Sequence, residues 1–534
     1  MLIDRRSVVK GAALSLLAPA LRVAPARSAG APALRLAAPR PFSFDDLSSE
    51  MRARAGRPYA PETHLPQDVL DLIDYEQHGK IKYITDYALF RDGPGQFPIT
   101  FFHLGKYFRT PVHMYELGSA GKSATAREIL YDPDYFSMPA NSPARRLPRG
   151  AGFAGFRLQE SRLADKLNWH TNDWVAFLGA SYFRAIGDLH QYGLSARAIA
   201  IDVAVPGRKE EFPAFTRFYF EPPADGSDHV TVYAALEGPS VTGAFKFLMQ
   251  RQQAVVMDVD ARLFLRTDVG QLGLAPMTSM YWFSETEKPQ AIDWRPEIHD
   301  SDGLGMATGA GEYIWRPLNE PQHPSTSTFN DQTPRGFGLL QRDRLFDHYL
   351  DGVRYDHRPS LWAHPLDDWG EGSVQLVELP TDDEVHDNIV AMWVPRQPAE
   401  AAGSVQLRYR LHWGSAEPQQ AMLARCVATR LGRGGEPGHV RPKGVYKFVV
   451  EFLGGPLASL PSGIKPEPVL SASSGSFSDA FSQVVPDDVP GHWRAEFDFT
   501  PAGSTVADIR LFLKDGTQTL SETWLYQFHP RDAV

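Results

Sequence analysis

The chain has 534 residues, a formal net charge of −10 and a single cysteine, Cys426. An acidic chain is a poor partner for a nucleic acid, so we exclude that class of function. One cysteine cannot form an internal disulfide. The 17 histidines are scattered without the spacing of metal ligands, so we predict no metal and no other cofactor.

Residues 1–30 predict a twin-arginine export signal. Arg5 and Arg6 precede an apolar run of about ten residues and then small residues that suit a signal peptidase. That run is too short to span a bilayer, which needs roughly 20 residues. A flexible terminus with chance arginines is the alternative. We therefore expect a soluble periplasmic protein exported by the twin-arginine machinery, without stable membrane insertion.

The remaining chain is predicted to be mainly β. Helical patterns are confined to two short segments, 43–54 and 66–76. Short runs rich in β-branched and aromatic residues then recur between Gly, Pro and Asp, which is typical of strands. These strands are predicted at 198–205, 216–221, 229–236, 243–249 and 255–265. No repeat of 20–50 residues is visible, so a large antiparallel sandwich is favoured over a solenoid or propeller.

A domain boundary is predicted between 395 and 403, where the sequence is small, polar and proline-containing. We assign 40–397 to a large β-sandwich with a cleft and 404–534 to a smaller immunoglobulin-like sandwich. One continuous β domain is the alternative. The strands of the second domain are predicted at 404–413, 444–452, 493–499 and 508–513.

No familiar catalytic signature is present, but residues 266–372 concentrate Asp, Arg, His, Tyr and Trp beside Gly and Pro. Glycosidic cleavage requires two carboxyl groups, and Asp268, Asp300 and Asp356 are the candidates. Asp268 and Asp300 are also typical of turns, and Arg354 with Asp356 of a structural ion pair. The candidate substrate-binding residues are Arg354, Tyr355, Arg358, Trp315, Arg316, Trp362, Tyr281 and His299.

Trp and Tyr rings can pack against pyranose rings, and Arg and Tyr can orient a carboxylate and set its pKa. Trp315 and Trp362 are equally typical of a buried core. From the residues alone, a sugar-cleaving site and a structural role both remain open.

The same clusters carry a family resemblance that runs in order from about residue 42 to the end. The chain resembles the osmoregulated periplasmic glucan biosynthesis proteins G and D, and its twin-arginine start resembles the D members. The motifs that match are 152–156, 177–185, 192–197, 273–280, 295–300, 315–318, 336–342, 354–360, 372–380, 387–390 and 519–524.

The resemblance implies a galactose-mutarotase-like β-sandwich followed by an immunoglobulin-like domain. It implies action on β-1,2-glucan, as an anomer-inverting endo-glucanase or as a transglycosylase. Asp356 of the Arg-Tyr-Asp motif would be the general acid, with Asp268 as first choice for the base and Asp300 as second. His357 stands where the family commonly has Leu. A non-catalytic glucan-binding protein that controls backbone length or branching is the alternative, and a homodimer is compatible with either function.

Overall fold

A computed structural model describes residues 33–61, 65–118, 124–164, 166–418 and 422–530. The predicted export signal at 1–30 lies outside these residues. The described chain is mainly β, arranged in several sheets, which confirms the fold class predicted from the sequence. None of its helices has both the length and the apolar character that crossing a membrane requires.

The chain divides into two compact units, and neither is one continuous stretch of sequence. The first unit comprises Met1–Pro276 and Gln397–Trp413, and the second comprises Met277–Arg396 and Gly414–Val534. The two-domain division near 395–403 stays a prediction.

The helices are few and short. The α-helices are α1 (Phe44–Ala55), α2 (Gln67–Asp71), α3 (Tyr75–Gly79) and α4 (Phe346–Tyr349). Single 3₁₀ turns occur at Thr85–Tyr87, Pro133–Tyr135, Pro143–Arg146, Tyr355–His357 and Gly455–Ser459.

The strands account for most of the regular structure. In chain order they are β1 (Arg40–Phe42), β2 (Lys82–Tyr83), β3 (Ile99–Phe102), β4 (His113–Leu117), β5 (Ala124–Ile129), β6 (Phe136–Ser137), β7 (Gly155–Gln159), β8 (Asp173–Leu178), β9 (Tyr182–Ala185), β10 (Ser195–Arg197), β11 (Ala200–Ile201), β12 (Ala214–Phe220), β13 (His229–Glu237), β14 (Val241–Arg251), β15 (Val255–Leu265), β16 (Leu272–Ser279), β17 (Tyr281–Phe283), β18 (Ile298–His299), β19 (Gly303–Ala307), β20 (Tyr313–Pro317), β21 (Ser325–Gln332), β22 (Gly336–Leu340), β23 (Ser360–Pro365), β24 (Glu371–Glu378), β25 (Ile389–Pro395), β26 (Ser404–Gly414), β27 (Arg425–Arg433), β28 (Tyr446–Leu453), β29 (Glu467–Ala472), β30 (Ser476–Val484), β31 (His492–Thr500), β32 (Ala507–Asp515), β33 (Gln518–Thr519) and β34 (Thr523–Phe528).

Beside the small sheet in which β2 pairs with β6, the described part of the first unit contains two larger sheets. One has the order β1-β5-β4-β12-β13-β14-β15-β26, and the other has the order β10-β9-β8-β7-β3. Alternate residues of these strands are apolar, so each sheet has one face that can be buried. Phe177 of β8 joins the two sheets, since its ring centroid lies 5.4 Å from that of Phe218 and 5.2 Å from that of Phe247. This unit is therefore a sandwich with an aromatic core.

Helix α1 covers part of the first sheet. Ser43 caps it by accepting a hydrogen bond from the backbone N–H of Asp46, which satisfies an otherwise unpaired donor of the first turn. Leu47 and Met51 are buried against an apolar cluster that includes Phe264.

The second unit contains several sheets, and those that contain β34 and β28 share an apolar core. One runs β23-β22-β19-β20-β34-β32-β29, and β34 lies parallel to β20. A second has the order β27-β28-β31-β30, a third β21-β24-β25, and β17 pairs with β18. Phe448 of β28 contacts Trp524 of β34 with 5.8 Å between ring centroids. Five of the predicted site residues lie between these strands and five lie on them: the first set is Asp300, Arg354, Tyr355, Asp356 and Arg358, and the second is Tyr281, His299, Trp315, Arg316 and Trp362.

Candidate active site

Asp268 belongs to a different compact unit from the other predicted site residues. It belongs to the first unit, whereas Asp300, Asp356 and all eight predicted substrate-binding residues belong to the second. Asp268 follows β15, is exposed, and accepts a hydrogen bond from the backbone N–H of Ala401 at 2.8 Å. That contact joins positions far apart in the sequence, so it is not a local turn contact.

Asp351 organises the loop that carries Asp356. Its carboxylate accepts hydrogen bonds from the backbone N–H groups of Val353, Arg354 and Tyr355 at 2.8, 2.6 and 3.0 Å. Arg354 adopts the left-handed conformation, with φ of 61°, which is uncommon for a residue other than glycine. The surrounding hydrogen bonds therefore hold Arg354 in a backbone conformation that residues other than glycine rarely adopt.

The carboxylate of Asp356 is bound by its neighbours in sequence. Arg354 donates from Nε to Oδ1 at 3.0 Å and from Nη2 to Oδ2 at 2.9 Å, and the Nε2 atom of His357 lies 3.4 Å from Oδ2. The hydrogen bonds from Arg354 hold the pKa of Asp356 below its usual range, against the opposing effect of burial. Asp356 is buried while the Arg354 side chain is 49 % exposed.

Tyr355 and Arg358 connect the Asp356 turn to Asp300. The Arg358 guanidinium lies 4.9 Å from the centroid of the Tyr355 ring, and its Nη1 is 3.4 Å from Oδ1 of Asp300. Asp300 is buried, and its Oδ1 accepts no hydrogen bond from the described residues. Two of the three candidate carboxylates are thus brought into one cluster, and the carboxylate of Asp300 is paired there with Arg358.

Glu384 and Arg295 extend this cluster to an exposed tryptophan. The Tyr355 hydroxyl and the Arg295 guanidinium both donate to Oε2 of Glu384, at 2.9 and 2.7 Å. Asp293 accepts two further bonds from the Arg295 side chain. Trp294 is 71 % exposed, so its ring is available to pack against a sugar.

His299 lies beneath the cluster in a buried hydrogen-bond network. Its Nε2 bonds to Glu297 and its Nδ1 to the side-chain oxygen of Gln341, both at 2.9 Å. Burial opposes a charged imidazole, but the hydrogen bond and charge of Glu297 outweigh it and raise the pKa of His299 to about 9. The Gln341 amide donates in turn to the Tyr349 hydroxyl and the Tyr355 carbonyl. His299 is therefore placed to position the Tyr355 turn.

Tyr281 and Arg316 are both fully buried. The Tyr281 hydroxyl donates to Glu287 at 2.7 Å, and Arg316 donates to Glu378 at 3.0 Å. Neither side chain has a surface that a glucan could reach in this structure, and both satisfy a buried carboxylate instead.

Trp315 and Trp362 belong to the apolar core of the second unit, with exposed fractions of 4 and 2 %. The Arg342 guanidinium lies 3.8 Å from the centroid of the Trp315 ring, so that face is occupied. Their burial favours the core alternative over a sugar-binding surface.

Two partly buried acids that the sequence pattern did not identify, Asp302 and Glu320, have raised pKa values. Burial raises the pKa of Glu320 to about 8, although the backbone N–H of Thr381 donates to it at 2.6 Å. Burial likewise raises the pKa of Asp302 to about 6. No local pattern marks either residue, because burial by distant segments produces both shifts.

Glu297, Asp343 and His348 are a group that could hold a metal ion, with potential ligand atoms within 4.8 Å of one another. Glu297 already bonds to His299, and His348 forms an ion pair with Asp343 at 2.5 Å. The group is satisfied by these contacts among the described residues.

Comparison with known proteins identifies the family. Residues 42–528 match the model of the periplasmic glucan biosynthesis protein family, MdoG. The glucans biosynthesis protein D 2 of Ralstonia nicotianae is 60 % identical, over 99 % of this chain and 98 % of its own. The glucans biosynthesis protein D of Xanthomonas campestris pv. campestris is 45 % identical, over 99 % of both chains. The chain belongs to the periplasmic glucan biosynthesis family, which confirms the resemblance.

A solved structure of a polysaccharide lyase is a more distant match. It covers 70 % of this chain and 44 % of its own at 9 % identity, with a TM-score of 0.18. A score this low carries no argument about fold or function.

Proposed function

We propose that the protein acts on β-1,2-linked glucan in the periplasm as an anomer-inverting endo-glucanase or transglycosylase. The observation that carries the proposal is the cluster in which Tyr355 and Arg358 connect Asp356 to Asp300. An inverting enzyme uses one carboxyl group as acid and a second as base, with room for a nucleophilic hydroxyl between them. The family to which the chain belongs supports a glucan as the substrate. The exposed Trp294 offers a surface on which its sugar rings can pack.

Asp356 is proposed as the general acid. It must be protonated when the glycosidic oxygen departs, yet Arg354 favours its anion. The Arg354 side chain is half exposed, so sugar hydroxyls can compete for its hydrogen bonds. A glucan that draws Arg354 away and covers Asp356 would raise the pKa of this carboxyl, since both changes disfavour the charged form.

Asp300 and Asp268 are the two candidates for the base. Asp300 lies in the same compact unit as Asp356 and is paired with Arg358 beside the Asp356 turn, which supports it. Asp268 is exposed and open to water and substrate, although one oxygen is held by Ala401. Asp300→Asn and Asp268→Asn, assayed separately, should give one severe loss of turnover and one mild effect.

The test is incubation of the purified protein with linear β-1,2-glucan, followed by chromatography of the products. Shorter chains indicate hydrolysis, whereas cyclised or redistributed chains indicate transfer. NMR identifies which anomer of the product is released first, and this tests whether the configuration is inverted. Unchanged polymer, with Asp356→Asn as the inactive reference, would contradict the catalytic proposal.

A glucan-binding protein without catalysis is the second candidate. The double hydrogen bond from Arg354 to Asp356 favours it, because a permanent ion pair leaves no proton to donate. This candidate requires measurable affinity for the glucan together with unchanged chain length, and equal affinity in Asp356→Asn.

We also propose that the protein is exported by the twin-arginine route and that it forms a homodimer. Arg5→Lys combined with Arg6→Lys should retain the protein in the cytoplasm, as cell fractionation would detect. Light scattering on the purified protein would determine whether it is a dimer.

A further inference from the structure

The first unit contains a pocket of about 360 Å³ on the outer face of β3, β7, β8 and β9. Phe156 and Phe177 point to the other side of this sheet, where they are buried in the sandwich core. Strand alternation therefore directs their neighbours Arg157, Ala176 and Leu178 toward the pocket.

A small residue, Ala176, lies at the floor of the pocket. The register pairs Thr100 with Arg157, Arg157 with Ala176, and Ala176 with Arg184, so the four residues form one row across the sheet. Neighbouring strands lie about 4.8 Å apart, which places the two arginine backbones roughly 10 Å apart with Ala176 between them.

The pocket is positively charged although the chain is acidic. Four basic side chains, Lys82, Lys106, Arg157 and Arg184, line it together with one acidic side chain, Glu76. The carboxylate of Glu76 is already paired with Lys80 at 2.6 Å. Within the described part of the chain, Arg184 makes no ion pair, and Arg157 reaches Asp173 only at 3.9 Å. A surplus of positive charge is therefore available to a ligand.

Aromatic rings surround these charges. Tyr75 and Tyr107 are 40 and 44 % exposed, and Tyr182 and Phe102 form further walls. The Arg157 guanidinium packs on the Phe102 ring at 4.3 Å, which fixes its orientation. Flat apolar surfaces beside two guanidinium groups suit a ring that also carries an anionic group.

We propose that this pocket binds a saccharide carrying a negatively charged substituent, with the anionic group above Ala176 between Arg157 and Arg184 and the sugar ring against the aromatic walls. The volume suits a ligand of mono- or disaccharide size. The ligand is a charged saccharide, whereas the proposed cleavage requires only neutral glucan. The pocket is proposed as a recognition site for substituted chains, and it does not depend on whether Asp356 is catalytic.

Titration calorimetry of the full chain at low salt tests the proposal with glucose 6-phosphate, glucose and inorganic phosphate as probes. Low salt is required because exposed charges are screened. We expect glucose 6-phosphate to bind at least about tenfold more tightly than either glucose or phosphate, since a charge-assisted hydrogen bond and ring contacts act together. Equal binding of phosphate and glucose 6-phosphate would overturn the proposal, and so would equal binding of glucose and glucose 6-phosphate.

Two variants locate the binding. Arg184→Gln removes one charge, and Ala176→Val fills the gap while keeping both arginines. Each variant should lower the affinity for glucose 6-phosphate at least about tenfold and leave the affinity for glucose nearly unchanged. Arg396→Gln, an exposed arginine of the second unit, is the matched control and should bind like the unmodified protein. Circular dichroism verifies folding, and unchanged affinity in both folded pocket variants would overturn the assignment.

Discussion

The guanidinium of Arg354 donates two hydrogen bonds to the carboxylate of Asp356, at 3.0 and 2.9 Å. The two residues are separated by Tyr355 alone, and the left-handed backbone of Arg354 folds its side chain back over the turn. The same contact that orients Asp356 also lowers its pKa. Glucan binding at Arg354 is therefore expected to change the protonation of Asp356.

Asp356→Asn should lose turnover by roughly 10²–10⁴-fold, because an amide cannot deliver the acid proton. Glucan affinity and melting temperature should stay close to those of the unmodified protein. Turnover, affinity and melting temperature are measured on the same preparation. A fully active variant would end the assignment, and a variant that loses stability and affinity together would indicate a structural ion pair instead.

Arg354→Gln should shift the pH dependence of turnover. Arg354 lowers the pKa of Asp356, so its removal raises that pKa and keeps the acid protonated to higher pH. The high-pH limb of the rate profile should therefore move toward higher pH, even where KM also rises. Arg396→Gln should leave the profile unchanged. A shift toward lower pH would contradict this role of Arg354.

Much of the fold could be predicted because it depends on local pattern. The strand at 255–265 is predicted with its observed bounds, since its polar residues alternate along its length. The segment 66–76 is wrong as one helix, because Asp74 accepts a hydrogen bond from the Gln77 N–H and begins a separate helix, α3. The strand at 198–205 is short because Asp202 and Ala204 adopt positive φ.

The site was predictable only where it is local in sequence. Arg354 and Asp356 lie within one motif, so their contact follows from the turn. The contact of Gln341 with His299 spans 42 residues and that of Tyr355 with Glu384 spans 29, and no pattern relates such positions. Burial is the second reason why the rest of the site could not be predicted. Packing by distant segments raises the pKa of Glu320 to about 8, and the local sequence does not show this.

Gln341→Ala should destabilise the protein by about 2–4 kcal/mol and lower turnover indirectly. It removes the amide that joins His299, Tyr349 and Tyr355, and leaves buried polar groups unpaired. Urea denaturation measures the stability. Gln341→Glu keeps the shape and one acceptor, so it should recover part of the loss. An unchanged denaturation midpoint in Gln341→Ala would contradict the positioning role.

Extensive treatment with EDTA should leave turnover and melting temperature unchanged. Glu297 and His348, two of the three groups that could form a metal site, already bond to His299 and Asp343. The measurement compares treated protein with protein to which Ca²⁺, Mg²⁺ or Zn²⁺ is restored. Activity that disappears and then returns with one ion would contradict the prediction.

His299 and Glu297 should make stability fall as pH rises above neutrality. The pKa of His299 is raised from its usual value near 6.5 to about 9, because Glu297 outweighs the effect of burial. A raised pKa contributes stability that is fully present below about pH 6.5 and lost as pH rises through 9, up to about 3 kcal/mol. The free energy of unfolding, measured in urea between pH 6 and 10, should therefore decrease. His299→Gln should be less stable at pH 7 and show a flatter dependence, whereas His439→Gln, at an exposed position, should follow the unmodified protein. A dependence that stays equally steep in His299→Gln would assign the effect to other groups.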